Sequence, residues 1–434
     1  MYQIEAGKEL DTLTLGKIIN AFLLHEAPIL QRYFDYYEGM QDIMKKIPSD
    51  VGKPCNHIVV NYCDNIVQNY LGYLAGIPIS YENDDFDDVK DILNYNDTPN
   101  EDSTYLKQAL LYGIGFEINY IDEDGKQRFK ALDSRNCIPI YDDTINENLK
   151  YVVRFYKEKP LEPESKWYIV EVYSDTSMKK YRTLNGYTAF EFIEEVQNPF
   201  GQVPITVFKL NEECDSIFKK IMSLQDAYND LISGEVDDFD AFADAYLLLK
   251  GVTADEEDLV KMKENRCLMI DETSDASYLT KNISDTQIEN MLININDKIH
   301  KIAQSPDFTD EKFLAQSGIA MRYKLVGFEN RASAIESNMR KALQRRIELI
   351  CSILSLTTGE DKWRDVEIVF TRNLPTDITE IVNTVNQLRG IVSKETLLTQ
   401  IPFVKDVDEE LKRVNKENEE AMSLYSYGMD EMNE

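Results

Sequence analysis

The chain of 434 residues has no CxxC pair, no HExxH and no glycine-rich phosphate loop. Its six cysteines (Cys55, Cys63, Cys137, Cys214, Cys267 and Cys351) are scattered. That spacing argues against a zinc site or a disulfide framework and suits reduced, singly buried thiols of a cytosolic product. The three histidines, His25, His57 and His300, lie far apart and read as packed or surface residues rather than ligands. The Gly-Lys pairs in "LGKI" (15–18) and "VGKP" (51–54) lack the upstream glycine and the following Ser/Thr that a phosphate cradle needs. No GxSxG, GxGxxG or kinase set is found, so no catalytic residue, metal or cofactor is nominated. The start carries no basic segment followed by an apolar one, and no run has transmembrane length. Neither a secretory signal nor a membrane partner is expected.

Positive charge is also scarce. Lys and Arg number 47 against 78 Asp and Glu, a formal net charge of −31. A protein that grips nucleic-acid phosphates needs clustered cations, so the charge argues against tight DNA binding and against an anionic membrane surface as partner. Acidic runs such as "NDDFDD" (83–88), "EVDDFD" (235–240) and "ADEED" (254–258) read as solvated faces. Clustered carboxylates also suit Mg²⁺ or Ca²⁺. A metal-dependent nucleic-acid enzyme using Asp237, Asp238 and Asp240 therefore stands as an alternative.

What is present is apolar patterning: 43% of residues are hydrophobic, enough for real cores, and the length calls for two or more domains. The segment from Leu10 to Gly39 has helical spacing, and a second helix is predicted from His57 to Gly76, with Pro78 as a further breaker. From Gly113 the rhythm alternates, predicting strands joined by turns, with "DEDGKQRF" (122–129) as a hairpin turn. Residues 1–212 thus read as helices plus an α+β domain. Ile217, Ile221, Leu224, Tyr228 and Leu231 form one apolar seam, and Ile288, Leu292, Ile295, Ile299 and Ile302 another. Between them lie strand-like pieces at "AYLLLKGV", "CLMI" and "ASYLT", which reads as two helices carrying a small tip. A third seam, from Leu325 through Phe328, Ala332, Ile335, Met339, Leu343, Ile347 and Ile350 to Leu354, predicts a helix of more than thirty residues. "VEIVFTRNLP" (366–375) offers one strand, and the last sixty residues return to helix with an acidic tail.

This order of parts resembles a tailed-phage portal protein, the head-to-tail connector, of the siphophage-like branch. The resemblance is carried by "LQRYFDYYEG" (30–39), "KPCNHIVVNYCDNIVQNYLGYLAGIPISYE" (53–82) and "GFEINYIDEDGKQRF" (115–129). It continues in "SPDFTDEKFLAQSGIAMRYKLVGFENRAS" (305–333), "RNLPTDITE" (372–380) and "SKETLLTQIPFVKDVDEEL" (393–411). It implies an α+β subunit with an α/β wing, a two-helix stem, a small β-containing clip, a long spine helix and a helical crown, assembling into a ring. The implied boundaries are 1–212 for N-terminal helices and wing, 213–249 and 286–304 for the stem helices, and 250–285 for the clip. The tunnel loop would occupy 305–318, the spine helix and a return strand to the wing 319–374, and the crown with its tail 375–434.

The function implied is non-enzymatic. A dodecamer at one capsid vertex would pass double-stranded DNA without sequence specificity during packaging and ejection. The clip, with Asp255, Glu256, Glu257, Lys261 and Lys263, would dock the terminase large subunit and then the head–tail adaptor, and capsid and scaffolding proteins would surround the ring. Asp307, Phe308, Asp310, Glu311, Lys312 and Phe313 would belong to the tunnel loop. Ile221, Leu224, Tyr228, Ile295 and Ile299 would form the stem seam and subunit interface. The product would be made in the host bacterial cytoplasm and end in the virion. An acidic channel wall agrees with this role, since it repels the duplex and limits sticking. Lys219, Lys220 and Lys312 are candidate cations on the path, against the plainer reading of solvated lysines. Another ring-forming head or tail protein is the remaining structural alternative.

Overall fold

The computed structural model describes residues 2–48, 53–82, 87–162, 164–243, 247–250, 275–278, 285–308, 318–358, 363–373, 378–399, 401, 404, 407 and 410–417. The chain forms two units, Met1–Asn373 and Leu374–Glu434. After strand β1 (Tyr2–Ile4), Asp11 caps helix α1 (Thr12–His25) by accepting from Thr14 N at 2.7 Å. The stretch expected to run as one helix to Gly39 is two, because α2 (Ala27–Tyr37) starts afresh after a 41° bend. Pro28 explains the break: without an N–H it is tolerated only in the first turn. The second predicted helix is also shorter, since α3 covers Tyr62–Ala75 with Asn61 as its cap. Residues 53–61 form neither helix nor strand.

Strand β2 (Ser80–Glu82) is followed by α4 (Asp87–Tyr95) and α5 (Thr98–Tyr112). The helix α5 stops at Gly113, whose φ of 79° is the left-handed region. A Cβ there would sit 2.2 Å from the carbonyl oxygen of Cys214, so only glycine fits. The alternating region then supplies β3 (Ile114–Ile121), β4 (Gln127–Leu132), β5 (Cys137–Asp142), β6 (Leu149–Lys157), β7 (Trp167–Tyr173), β8 (Ser177–Leu184), β9 (Phe190–Gln197) and β10 (Ile205–Lys209). They build a six-stranded sheet, β1-β5-β6-β7-β8-β9, and a three-stranded one, β10-β3-β4. All neighbours are antiparallel except β1 on β5. Phe116, Cys137, Val152, Val203 and Ile205 pack as one core cluster drawn from both sheets. The turn at 122–126 is closed by Asp122 N to Lys126 O at 2.9 Å, the hairpin expected from "DEDG".

Helix α6 (Met222–Ala243) leaves this body, strands β11 (Leu247–Lys250) and β12 (Asp275–Tyr278) pair antiparallel, and α7 (Asp285–Ala303) packs on α6. Of the expected strands between the helices, "CLMI" lies outside the described residues. Then comes α8 (Gly318–Thr358), 41 residues and roughly 60 Å long. Its predicted seam residues from Leu325 to Ile350 are all buried, and Leu354 is half-buried. A last strand of this unit, β13 (Glu367–Val369), pairs with β2. In the second unit, α9 (Ile378–Leu388) and α10 (Lys394–Leu398) follow, the latter capped by Ser393.

Against a chain of −31, the first thirty residues of α8 are basic: Arg322, Lys324, Arg331, Arg340, Lys341, Arg345 and Arg346 stand against Glu329 and Glu336. Several of these cations bind inside the fold. Arg346 is fully buried and forks onto Glu117 of β3 (2.8 and 2.5 Å) while its third nitrogen meets Asp102 of α5 at 2.5 Å and Tyr81 of β2 at 3.0 Å. The guanidinium also lies 4.3 Å from the centre of the Phe129 ring. Four elements thus converge on one side chain.

A second tie joins α8 to the segment after β13. Arg372 pairs with Glu329 at 2.9 Å and Glu336 at 2.7 Å, and Tyr73 donates to Glu329. Burial by itself would raise the Glu329 carboxyl, but the Arg372 and Tyr73 bonds outweigh it and leave it below its ordinary 4.5. A carboxylate depressed in the folded state adds stability above its unfolded pKa and loses it as pH falls through the folded one. The stability difference between wild type and Arg372→Ala should therefore be present at neutral pH and close below about pH 4. Urea midpoints of both proteins across pH 3–7 check this, and a gap that persists at pH 3 would rule out the ion pair as its source.

Candidate functional site

A cluster of hydrogen bonds and ring contacts forms where α6 begins, α7 ends and α8 passes both. Arg331 of α8 donates from Nη1 to the carbonyl of Ala303, in the last turn of α7, and from Nη2 to the carbonyl of Ile217, just ahead of α6, both at 2.8 Å. No carboxylate takes part. The negative end of the α7 dipole and two carbonyl oxygens compensate the cation, while burial lowers its pKa from the usual arginine value. Tyr70 reinforces the same point, donating its hydroxyl to Ala303 O (3.1 Å) and Gln304 O (3.2 Å). Burial pushes that phenol up to about 12, so it stays a donor.

The residues after α7 are held as firmly. Gln304 takes a left-handed φ of 51°, turning the chain out of the helix. Asn69 donates to Ser305 Oγ at 3.0 Å, and His300 Nδ1 lies 2.8 Å from Ser305 O, the geometry of an Nδ1–H donor. His300 Nε2 is 3.9 Å from Asp307. Phe328 stands between the rings of Tyr70 and Tyr73 (centroids 4.6 Å each) and also meets Phe308 at 6.1 Å. Arg331→Lys keeps the charge but loses the two-pronged fork, stranding one carbonyl. The expected cost is about 1–2 kcal/mol, visible as a lower thermal midpoint with unchanged far-ultraviolet circular dichroism; no change would assign the fork no role.

The strap 53–61 lies along α6 with no β-strand beside it, which raises the question of where its backbone bonds go. They go to side chains. Tyr62 N donates to Gln225 Oε1 (3.0 Å), Val60 N to Asn229 Oδ1 (3.0 Å), Ile58 N to Ser233 Oγ (3.0 Å) and Asn56 N to Asp237 Oδ1 (2.6 Å). Gln225 Nε2 returns a bond to Val60 O at 2.6 Å. Every second strap residue meets every fourth helix residue because two extended residues span about 6.6 Å and four helical ones about 6.0 Å. Gln225, Asn229 and Ser233 are fully buried. This ladder is why the predicted helix does not begin at His57: alternate strap amides bond to α6, and Tyr62 N shares its bond between Gln225 and Val60 O (3.1 Å).

The predicted site residues distribute as follows. Ile221 and Ile299 are fully buried in the single chain, and Leu224, Tyr228 and Ile295 are half-buried. Tyr228 meets Tyr62, which in turn meets His300 of α7 (5.2 and 5.8 Å between centroids). Asp307 and Phe308 sit at the junction just described; Asp310, Glu311, Lys312 and Phe313 lie outside the described residues, as do Asp255, Glu256, Glu257, Lys261 and Lys263. Lys219 pairs with Asp215 at 2.6 Å, and Lys220 is exposed. Asp237 and Asp240 both bind Asn56, and among the described residues no three His, Cys, Asp or Glu side chains converge as a metal site. Arg331, Gln225, Asn229 and Ser233 were not singled out from sequence, whereas Asp237 was, as a metal-ligand candidate and not as a rung. The repeat Gln225-x₃-Asn229-x₃-Ser233-x₃-Asp237 was the available signal, a polar stripe beside the apolar one.

The family described as phage portal protein, SPP1 Gp6-like, matches residues 17–424. The chain belongs to that portal family. The portal protein of Bacillus phage SPP1 is 25% identical over 461 residues, covering 98% of this chain and 89% of that protein. The portal protein of Clostridium phage phiCD119 is 23% identical over 424 residues, covering 90% and 93%. Among solved structures, a chain from the virion of a native gene transfer agent particle has a TM-score of 0.45 at 12% identity, covering 87% of this chain and 94% of that one. A chain from the neck of the native particle, computed with C12 symmetry, has a TM-score of 0.42 at 14% identity, covering 78% and 89%.

Proposed function

We propose that this portal-family chain assembles into a twelve-membered ring at one capsid vertex of the virion and forms the channel through which double-stranded DNA is packaged and ejected. The observation that carries the reading is the family match across 17–424, with mixed helices and sheets along the same span. In this reading β3–β10 with the N-terminal helices form the wing and α6 and α7 the stem. Residues 250–285 form the clip, 305–318 the tunnel loop, α8 the spine and 375–434 the crown. The clip docks the terminase large subunit during filling and the head–tail adaptor afterwards.

The physical chemistry supports a channel rather than a binder. With a net charge of −31, the wall repels the duplex and avoids the counterion-releasing contacts that would hold it in place. The basic residues of α8 do not contradict this, because Arg331, Arg340, Arg345 and Arg346 are bonded to protein groups. The Arg331 junction ties both stem helices to the spine beside the loop, so that loop and stem share one rigid root. No nucleotide loop is present, and the energy for DNA movement comes from a separate ATPase.

Twelve copies of a 50.2 kDa chain give about 600 kDa. Light scattering together with electron-microscope class averages of the purified protein should return that mass and a ring with a central hole. A monomer that stays monomeric with scaffold and capsid protein present would overturn the proposal.

A further inference from the structure

Beyond the stem seam that the resemblance implies as subunit interface, two features on opposite sides of the α6–α7 pair bear on a further contact between copies. An open cavity of about 810 Å³ is floored by Phe22, Leu30, Tyr33 and Phe116 and reaches α6 at Met222, Ser223 and Asp226. It is an open cleft rather than an enclosed void, with apolar residues on its floor. Its mouth carries Glu212 and Glu213, both exposed and without an ion-pair partner among the described residues, and the half-buried thiol of Cys214. On the α6 wheel, Met222, Ser223 and Asp226 lie roughly 200° from the Leu224–Tyr228 stripe, the side on which α6 is joined to α7 through Tyr62.

The far flank of α7 carries the complement. Met291, Lys298 and Ile302, spaced by seven and four residues, stack on one line. Met291 is 50% and Ile302 44% exposed, and Lys298 is exposed with no partner among the described residues. An apolar, cationic flank on one side and, on the other, a cavity lined by more carboxylates than cations (Arg32, Lys209 and Lys219) make a heterologous pair, the kind of contact that closes rings.

We propose that Ile302 of one copy seats at the mouth of the cavity of the next copy, with Lys298 facing Glu212 and Glu213. The contact rests on the ring reading and goes beyond it in naming the two surfaces. Ile302→Cys places a thiol opposite the native Cys214. Under copper–phenanthroline oxidation, assembled Ile302→Cys should give a ladder of disulfide-linked multimers, lost in Ile302→Cys/Cys214→Ser. Lys298→Glu should lower the ring fraction at least tenfold, and the added change Glu212→Lys/Glu213→Lys should restore it. Rings of normal mass that show no cross-links, or a charge swap that fails to rescue a folded Lys298→Glu protein, would overturn the contact while leaving the ring intact. Absence of any ring from the wild-type chain would remove the ring reading, and this contact with it.

Discussion

Arg346→Met should lower the stability of the main unit by about 3–5 kcal/mol, the cost of stripping the cation from a buried cluster. Arg346, Asp102 and Glu117 are each at most 1% exposed. Burial already raises the Glu117 carboxyl, with the Arg346 charge and bonds working the other way. Without the guanidinium, two carboxylates share a dry site across β3 and α5, and Tyr81, which donates to Asp102 at 2.8 Å, cannot neutralise them. The folded chain must then take up protons or open. Chemical denaturation of the full chain reads the loss. The discriminating control is Arg346→Met/Glu117→Met/Asp102→Leu, which removes all the buried charge and should recover most of it, because a packed apolar cluster is no worse than a buried ion network. A triple variant as unstable as the single one would mean that shape, not charge, decides this site.

Asn229→Leu is expected to cost on the order of 3–5 kcal/mol, because three buried polar groups lose a partner at once and each unmet group costs roughly 1–3 kcal/mol. Asn229 accepts from Val60 N and from Gln225 Nε2 at 3.0 Å, and donates to Gln41 Oε1 at 2.5 Å. The ladder also predicts a pattern that ordinary packing does not. In hydrogen exchange the amides of Ile58, Val60 and Tyr62 should be slow, and those of His57 and Val59 fast. Asn229→Leu should release Val60 first. Uniform protection along 56–62 would show that the strap is held by burial and not by the rungs.

Periodicity alone located the long helix: the buried residues of α8 recur at the spacing read from Leu325 onward. The alternation after Gly113 likewise marks the strands, and the glycine itself stops α5 where a left-handed turn is required. Pattern reading failed where a local signal competes with a distant partner. Residues 57–61 carry helical spacing, yet they form no helix because three side chains of α6, more than 160 residues away, supply hydrogen bonds to Ile58 and Val60. The bend at Glu26 is different, since Pro28 is itself a sequence signal: proline fits only the first turn of a helix and so starts α2 anew. The junction at Arg331 was hidden for a third reason. An arginine bonded to carbonyls leaves no charge pattern in the sequence, as its partners Ile217 and Ala303 contribute only backbone.

By itself the sequence determined the class of the protein. The −31 charge, the absence of catalytic spacings, the order of seams and the strand-rich middle are properties of residues near one another, and neighbouring residues set helix and strand periods. Which cation meets which carboxylate, how a strap with no sheet finds its bonds, and where α6 and α7 are rooted were decided only by tertiary structure. Most of those contacts join residues more than 100 positions apart, up to the 265 between Tyr81 and Arg346. Their energy depends on burial, and burial exists only once the whole unit has closed around them.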